Sequence, residues 1–201
     1  MASSSDGEYR SALEALGLAE PVVSRLAAYL RLLSAWNRRV NLTAARTPAA
    51  QVELLIQDVM PLAPLLCSGG LVDVGSGNGS PGLILGVLSP ERPVTLLEPR
   101  TRRWAFLLEA ARAVGRPDIR VERLRHDEFA GPPAANVTVR ALRLPAPELG
   151  RLLGPGGRIL ALGAVPTESE GFRVQTVPSS GRGAIHVLER ADVSRETSGT
   201  S

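Results

Sequence analysis

Between Ser11 and Leu18, and again between Pro21 and Trp36, leucine, valine, alanine and tyrosine recur every three or four residues with arginines between them. That period gathers the apolar positions onto one face and predicts two amphipathic helices. Pro21 suits the first turn of the second, where its missing N–H has no partner to lose. Asn41-Leu-Thr-Ala breaks the period, and Pro48 opens a third helix predicted to run to about Met60. Its run Val52, Leu54, Leu55, Ile56 and Val59 is apolar enough to pack against a sheet.

From Leu71 short apolar runs alternate with helical segments, which argues a parallel sheet. Strands are predicted near 71–74, 93–98, 119–124, 135–140 and 157–162, and helices near 81–88, 100–114 and 145–153. Gly154-Pro-Gly-Gly157 reads as a firm break before the strand Arg158-Ile-Leu-Ala-Leu162. Two further strands, 172–177 and 184–189, flank Pro178-Ser-Ser-Gly181 and predict a closing antiparallel hairpin. The fold class is therefore α/β: N-terminal helices, a mostly parallel sheet and a C-terminal hairpin. The expected division is a helical extension over 1–66 packed on the core, a main domain over 67–190, and a polar, disordered tail over 191–201.

Composition narrows the class. A chain of 201 residues, 44% of them hydrophobic, is long enough to bury a core as one domain. The net charge is +3, and every one of the 23 basic residues is arginine. Arginine's planar fork suits phosphate, although a diffuse excess of it also describes an ordinary solvated face. Cys67 is the only cysteine, so neither a disulfide nor a cysteine-rich zinc site is expected, and no metal site is read. The opening Met-Ala-Ser-Ser-Ser-Asp lacks the basic and apolar regions of a secretory leader, and no apolar stretch reaches membrane-spanning length. The expected setting is cytoplasmic, without membrane contact, and the expected state is a monomer.

The candidate chemistry lies in residues 71–82, Leu-Val-Asp-Val-Gly-Ser-Gly-Asn-Gly-Ser-Pro-Gly. An apolar run ends at Asp73 and gives way to Gly75, Gly77 and Gly79 at alternate positions, before a new apolar segment from Leu83. Strand, glycine turn and helix start together cradle a nucleotide against bare main chain. A dinucleotide fingerprint needs a glycine three positions after Gly77, where Ser80 stands. A P-loop is excluded, because the chain has no lysine. The next strand, Pro93-Val-Thr-Leu-Leu-Glu98, ends in a carboxylate able to accept both ribose hydroxyls of an adenosine. The pattern D-x-G-x-G-x-G with that acid resembles motif I of the Rossmann-like S-adenosylmethionine methyltransferases.

Further matches narrow the resemblance. Trp36-Asn37, Asn41-Leu42-Thr43, Asp73-Val-Gly-Ser-Gly with Pro81-Gly82, Leu96-Leu97-Glu98, and Arg102-Arg103 before Phe106-Leu107 follow in order. Over about residues 25–162 this is similar to the bacterial small-subunit (16S) ribosomal RNA guanine-N7 methyltransferases, the glucose-inhibited division protein B family. The resemblance implies a Rossmann-like fold, S-adenosyl-L-methionine as cofactor, and small-subunit ribosomal RNA or the small subunit itself as partner. It implies cofactor contacts at Asp73, Gly75, Ser76, Gly77, Gly79, Ser80, Glu98, His126, Asp127 and Arg140. Asn41 and Thr43 either cap a loop or line the acceptor pocket, and Arg143 is a candidate substrate contact. No catalytic base is expected, because guanine N7 attacks with an unprotonated lone pair and the enzyme's task is alignment.

Some positions depart from the family pattern. Leu55 and Val59 replace a histidine and a serine around Asp58, Asn136 replaces an acid, and Gly163 replaces a lysine. Residues 163–171 are too few for the helix expected there. These changes read as erosion of the acceptor half of the site. They keep open a cofactor-binding paralogue without turnover, or a methyltransferase of the same fold with a small-molecule acceptor. Among the remaining signals, Trp36 and Asn37 read as packing plus a cap, and His186 as a strand residue. Arg38, Arg39 and Arg46 read either as a solvated face or as an RNA-facing patch. Arg100, Arg102 and Arg103 sit at a helix start where the dipole disfavours cations, which makes an anionic partner plausible.

Replacing Gly77 with valine brings a branched Cβ into the ligand's space. Calorimetric titration of that variant with S-adenosylmethionine or its demethylated product is expected to show no measurable binding.

Overall fold

A computed structural model describes residues 2–178 and 183–191. The helices are α1 (Ala2–Glu14), α2 (Glu20–Asn37), α3 (Pro48–Val52), α4 (Gly82–Leu88), α5 (Thr101–Ala113) and α6 (Ala146–Gly150). The strands are β1 (Leu71–Val74), β2 (Val94–Leu97), β3 (Arg120–Glu122), β4 (Ala134–Arg140), β5 (Leu153–Leu162), β6 (Phe172–Pro178) and β7 (Ala184–Arg190). They form one sheet in the order β3-β2-β1-β4-β5-β7-β6. The first five strands are parallel, and β7 pairs antiparallel with both β5 and β6.

β1 is central and buried at all four positions, as a strand covered on both faces must be. After β3 the chain crosses the sheet and re-enters beside β1 as β4, so the strand order reverses between these two. Open α/β sheets bind ligands at such a switch point, beyond the carboxyl ends of the strands. α2 packs on α5 through aromatic contacts: Phe106 lies 5.8 Å from Trp36, edge to face, and 6.3 Å from Tyr29. One continuous cluster joins α1, α2 and the 52–62 segment to a face of the sheet. A second cluster, with Val72, Val74, Val137 and Ile159, fills the opposite face beneath α6.

Four predicted elements are revised. The first helix spans Ala2–Glu14 instead of starting at Ser11, and Gly17, at φ +75°, ends the turn after it. Its polar start shows no apolar period; tertiary contacts anchor it, with Tyr9 buried and its hydroxyl donating to Gln51 Oε1 at 2.5 Å. The helix expected over Pro48–Met60 breaks up at Val52 into a π-helical turn, Glu53–Gln57, and a 3₁₀ turn, Met60–Leu65. The wider turn keeps Leu55, Ile56 and Val59 buried while Asp58 turns toward β4. Gly154–Gly157 is a bulge inside β5, since partners jump from Ala134↔Leu153 to Asn136↔Arg158. The helix expected over 145–153 shrinks to the five residues of α6. Residues 163–171 contain no helix, as read. Most of the expected hairpin turn and all but the first residue of the expected tail lie outside the described residues.

Asn136 shows why its neutral amide fits. It is fully buried at the amino end of β4, accepts the Cys67 N–H at 2.8 Å and donates to the Cys67 carbonyl at 3.0 Å. It also donates to the Gly70 carbonyl at 3.3 Å. An ionised carboxylate could do only the accepting half. Asn136→Leu strands the Cys67 N–H and carbonyl, at an expected cost of about 3 kcal/mol in urea-unfolding stability.

Candidate functional site

β1, β2 and β4 end at a common edge, because Val74 pairs with both Leu97 and Val139. Gly75 and Glu98 are the next residues of their chains, and Arg140 closes β4, so the switch point collects all three. The loop after β1 folds back on itself: the Ser76 N–H donates to the Leu97 carbonyl at 3.0 Å, and the Gly79 N–H to the Ser76 carbonyl at 2.6 Å. Gly75, Gly77 and Gly79 take φ of +68°, +52° and +92°. Side chains rarely adopt these values, which explains the alternating glycines.

Glu98 is 3% exposed. Its Oε2 accepts the Gly77 N–H at 3.0 Å and its Oε1 the Arg100 N–H at 2.9 Å. One carboxylate therefore joins the glycine loop to the start of α5. Beside it opens a cleft of about 250 Å³, walled by Leu97, Pro99, Leu124, His126 and Leu144. A Cβ on Gly77 would point between Arg103 and Glu98, 3.6 and 3.9 Å from their nearest atoms. One on Gly75 would collide with Leu142, which lies over the loop. A bare main-chain edge, an apolar slot and a carboxylate suit an adenosine-bearing ligand.

The predicted site residues divide. Gly75, Glu98 and His126 line this cleft, and Gly77 borders it. Asp73, Ser76, Gly79 and Ser80 shape the loop from within instead of lining the cleft. Ser76 Oγ donates to the Asp73 carbonyl, and Gly79 packs against Leu83 and Leu107. Ser80 Oγ donates to the Leu55 carbonyl at 3.0 Å. Asp127 turns to solvent, where Arg125 at 3.1 Å holds its carboxyl below the usual range. His126 is nearly buried, with Nε2 2.8 Å from Glu148 Oε2.

Arg140 lies on the other flank of the loop. It donates to Ser80 Oγ at 2.9 Å and to Asp58 Oδ2 at 3.2 Å. Burial lowers its pKa, while Asp58, Tyr29 and Asp73 favour the charge. A second cleft, about 260 Å³, opens beside Asp58 between Ala44, Ala45 and Glu53. Thr43 Oγ1 accepts the Ala45 N–H at 3.1 Å and Asn41 gives its carbonyl to Arg103. Both therefore have structural work in the loop beside this second cleft. Asn37 braces the same loop, accepting the Leu42 and Thr43 N–H groups. Arg143 is exposed and lines neither cleft.

Leu55 and Val59 are core residues, at 2% and 0% exposure. With Asn136 at the amino end of β4, three of the four departures do not cluster at the mouth of the site. The expected erosion of the acceptor half is corrected accordingly. Leu97 and Arg103 were singled out in the sequence without their places in the cleft, while Pro99, Leu124 and Leu144 in the apolar wall escaped sequence reasoning. The one available signal was their place at strand ends on the ligand-binding edge. Gly163 follows β5, and its carbonyl accepts from His186 Nε2 at 3.2 Å when that nitrogen carries the proton. Among the described residues, no cluster of histidine, cysteine or carboxylates could hold a metal ion, and no helix is long and apolar enough to cross a membrane.

The family model described as "GidB: rRNA small subunit methyltransferase G" matches residues 23–178. The ribosomal RNA small subunit methyltransferase G of Xanthomonas axonopodis pv. citri is 35% identical over 182 residues, covering 88% of this chain and 84% of its own. The protein of the same name from Halorhodospira halophila is 37% identical over 145 residues, 71% of this chain and 69% of its own. Among solved structures, the ribosomal protein L11 methylase of Lactobacillus delbrueckii subsp. bulgaricus aligns with a TM-score of 0.56 at 15% identity, over 68% of this chain and 78% of that one. A SAM-dependent methyltransferase from Aquifex aeolicus gives 0.55 at 17%, over 69% and 91%. At those identities the structures share the fold.

Asp73 yields a pH test. Burial raises its carboxyl to about 6, against the Thr138 hydroxyl, which donates at 2.6 Å, and the Gly82 backbone. The folded state therefore holds this proton more tightly than the unfolded chain, and stability from this group is lost as pH rises from about 4 through about 6. Relative to Asp73→Asn, the wild type is expected to lose about 3 kcal/mol of urea-unfolding stability across that window, at 1.36 kcal/mol per pKa unit.

Proposed function

The chain belongs to the GidB family, the small-subunit ribosomal RNA methyltransferases G, and on that footing we propose how its residues carry out the transfer. The reaction moves a methyl group from S-adenosylmethionine to N7 of a guanine in 16S ribosomal RNA. The observation that carries this reading is Glu98, a buried carboxylate facing an apolar slot at the edge of a glycine loop. Each carboxylate oxygen accepts one backbone N–H and keeps a lone pair for a ribose hydroxyl. Leu97, Pro99 and Leu124 would sandwich the adenine, with the His126 backbone at its edge. The methionyl end would lie along Gly75 and Gly77, with the Leu142 side chain turned off the loop.

When bound, the cofactor supplies a methyl carbon on a sulfonium, with a neutral thioether as the leaving group. Guanine N7 uses its lone pair, so no proton has to be removed and the positive charge passes to the purine. The protein's part is to align the groups and exclude water. Arg140, Asp58 and Ser80 act as positioning residues, tying the acceptor flank to the loop. Asp73 and Ser76 hold the loop's shape, and Asp127 contributes through its backbone. Asn41 and Thr43 form the acceptor-side loop, and Arg143 contacts RNA phosphate. The reading places a monomer in the bacterial cytoplasm, where the small subunit is assembled.

A turnover-free paralogue is not favoured, because Leu55, Val59 and Asn136 serve the core. The test is radiolabelled methyl transfer to small subunits from a strain lacking the native modification. Borohydride reduction and aniline cleavage then report N7 methylation as a single strand break. Glu98→Gln is expected to weaken cofactor binding by about tenfold to a hundredfold, the loss of about 1.5–3 kcal/mol for a charge-assisted hydrogen bond. Label incorporated only into ribonuclease-resistant metabolites would overturn the reading.

A further inference from the structure

A concavity not used above lies between the end of α2 and the start of α5. It has a volume of about 520 Å³ and is lined by Ala35, Trp36, Arg38, Arg39, Val40 and Arg102. Its floor is apolar and its rim is cationic. We propose that this cleft holds a single-stranded segment of the RNA substrate flanking the target guanine, with a base on the floor and phosphates on the three arginines. The proposal rests on the reading of the chain as an RNA methyltransferase.

Charge pairing separates these arginines from many others. Arg10, Arg31, Arg116, Arg120, Arg125 and Arg158 each face a carboxylate. Among the described residues, the side chains of Arg38, Arg39 and Arg102 form no ion pair or hydrogen bond. Arg38 and Arg39 follow α2, where the helix dipole favours cations. Arg102 lies in the first turn of α5, where the dipole opposes it, and beside two like charges. Three converging guanidiniums with no counter-charge complement a polyanion.

The floor suits a base. Trp36 is half-buried and locked: its ring packs edge-on against Phe106, and its indole N–H donates to Glu109 at 3.0 Å. A fixed indole in a concave site is a surface on which an unpaired base can stack, whereas a duplex presents none. That glutamate is held at the indole's edge and does not line the cleft.

The cleft also joins the site already described. Arg103, next to Arg102, lines the Glu98 cleft and donates to the Asn41 carbonyl at 3.1 Å. A strand lying across Arg102 is therefore led toward the loop Asn41–Ala45 and the acceptor flank.

The experiment measures anisotropy of a fluorescein-labelled single-stranded uridine oligonucleotide over a salt series. It compares wild type, Arg38→Gln/Arg39→Gln/Arg102→Gln, and a control triple at the paired Arg10, Arg31 and Arg120. The cleft triple is expected to bind about tenfold more weakly at moderate salt. The slope of log Kd against log salt should fall by about 2, since each lost phosphate contact removes about 0.7 on a single strand. KM for small subunits should rise with kcat and cofactor affinity unchanged, and the control should match wild type. An unchanged slope, an equal loss in the control, or a parallel loss of cofactor binding would overturn the proposal. So would wild-type binding to phosphatidylserine vesicles that exceeds oligonucleotide binding and vanishes in the cleft triple. Absence of methyl transfer by the wild type would instead count against the RNA methyltransferase reading itself.

Discussion

One carboxylate organises the ligand-binding edge. Glu98 closes two hydrogen bonds to backbone N–H groups from different segments, Gly77 in the loop after β1 and Arg100 at the entrance to α5. Backbone donors at a loop and a helix start have no intrahelical acceptor, so an anion between them satisfies both at once. The same contact fixes how far the loop stands from the apolar slot beside β2. Charge, burial and loop geometry therefore depend on a single side chain, and a neutral isostere retains only part of the arrangement.

The N-terminal helices take part in the site instead of merely covering the sheet. Tyr29 donates its hydroxyl to the Asn78 carbonyl, Asn78 donates to the Leu42 carbonyl, and Ser80 to the Leu55 carbonyl. Burial pushes the Tyr29 phenol up, which keeps it a neutral donor. The glycine loop is thus held from the sheet by Glu98 and from the helices by hydroxyl and amide groups. Glycines give the loop its shape but leave it free to move, so gripping it from two sides supplies the preorganisation that alignment chemistry requires.

The departures from the family pattern look different once they have places. Leu55 and Val59 fill core positions on and just after the π-helical turn, while Asp58 between them still reaches Arg140. Asn136 uses both its acceptor and its donor to hold the chain entering β1. A substitution that appears to remove chemistry can instead exchange one way of satisfying buried polar groups for another. Gly163 remains the departure at the carboxyl edge, beside the His186 hydrogen bond.

The sequence by itself determined the parallel strands, the positive-φ loop at Gly75–Gly79 and the acid at position 98. Each of these follows from local rules: apolar period, glycine's freedom and spacing along a strand. Only the tertiary structure decided that Asp73 and Ser80 face inward, that α1 begins at Ala2, and that Arg38, Arg39 and Arg102 converge without counter-charges. Those outcomes depend on partners far apart in the chain, such as Tyr9 with Gln51 or Asn136 with Cys67. A one-dimensional pattern records which groups need a partner, but packing chooses the partner, because burial and distance exist only in three dimensions.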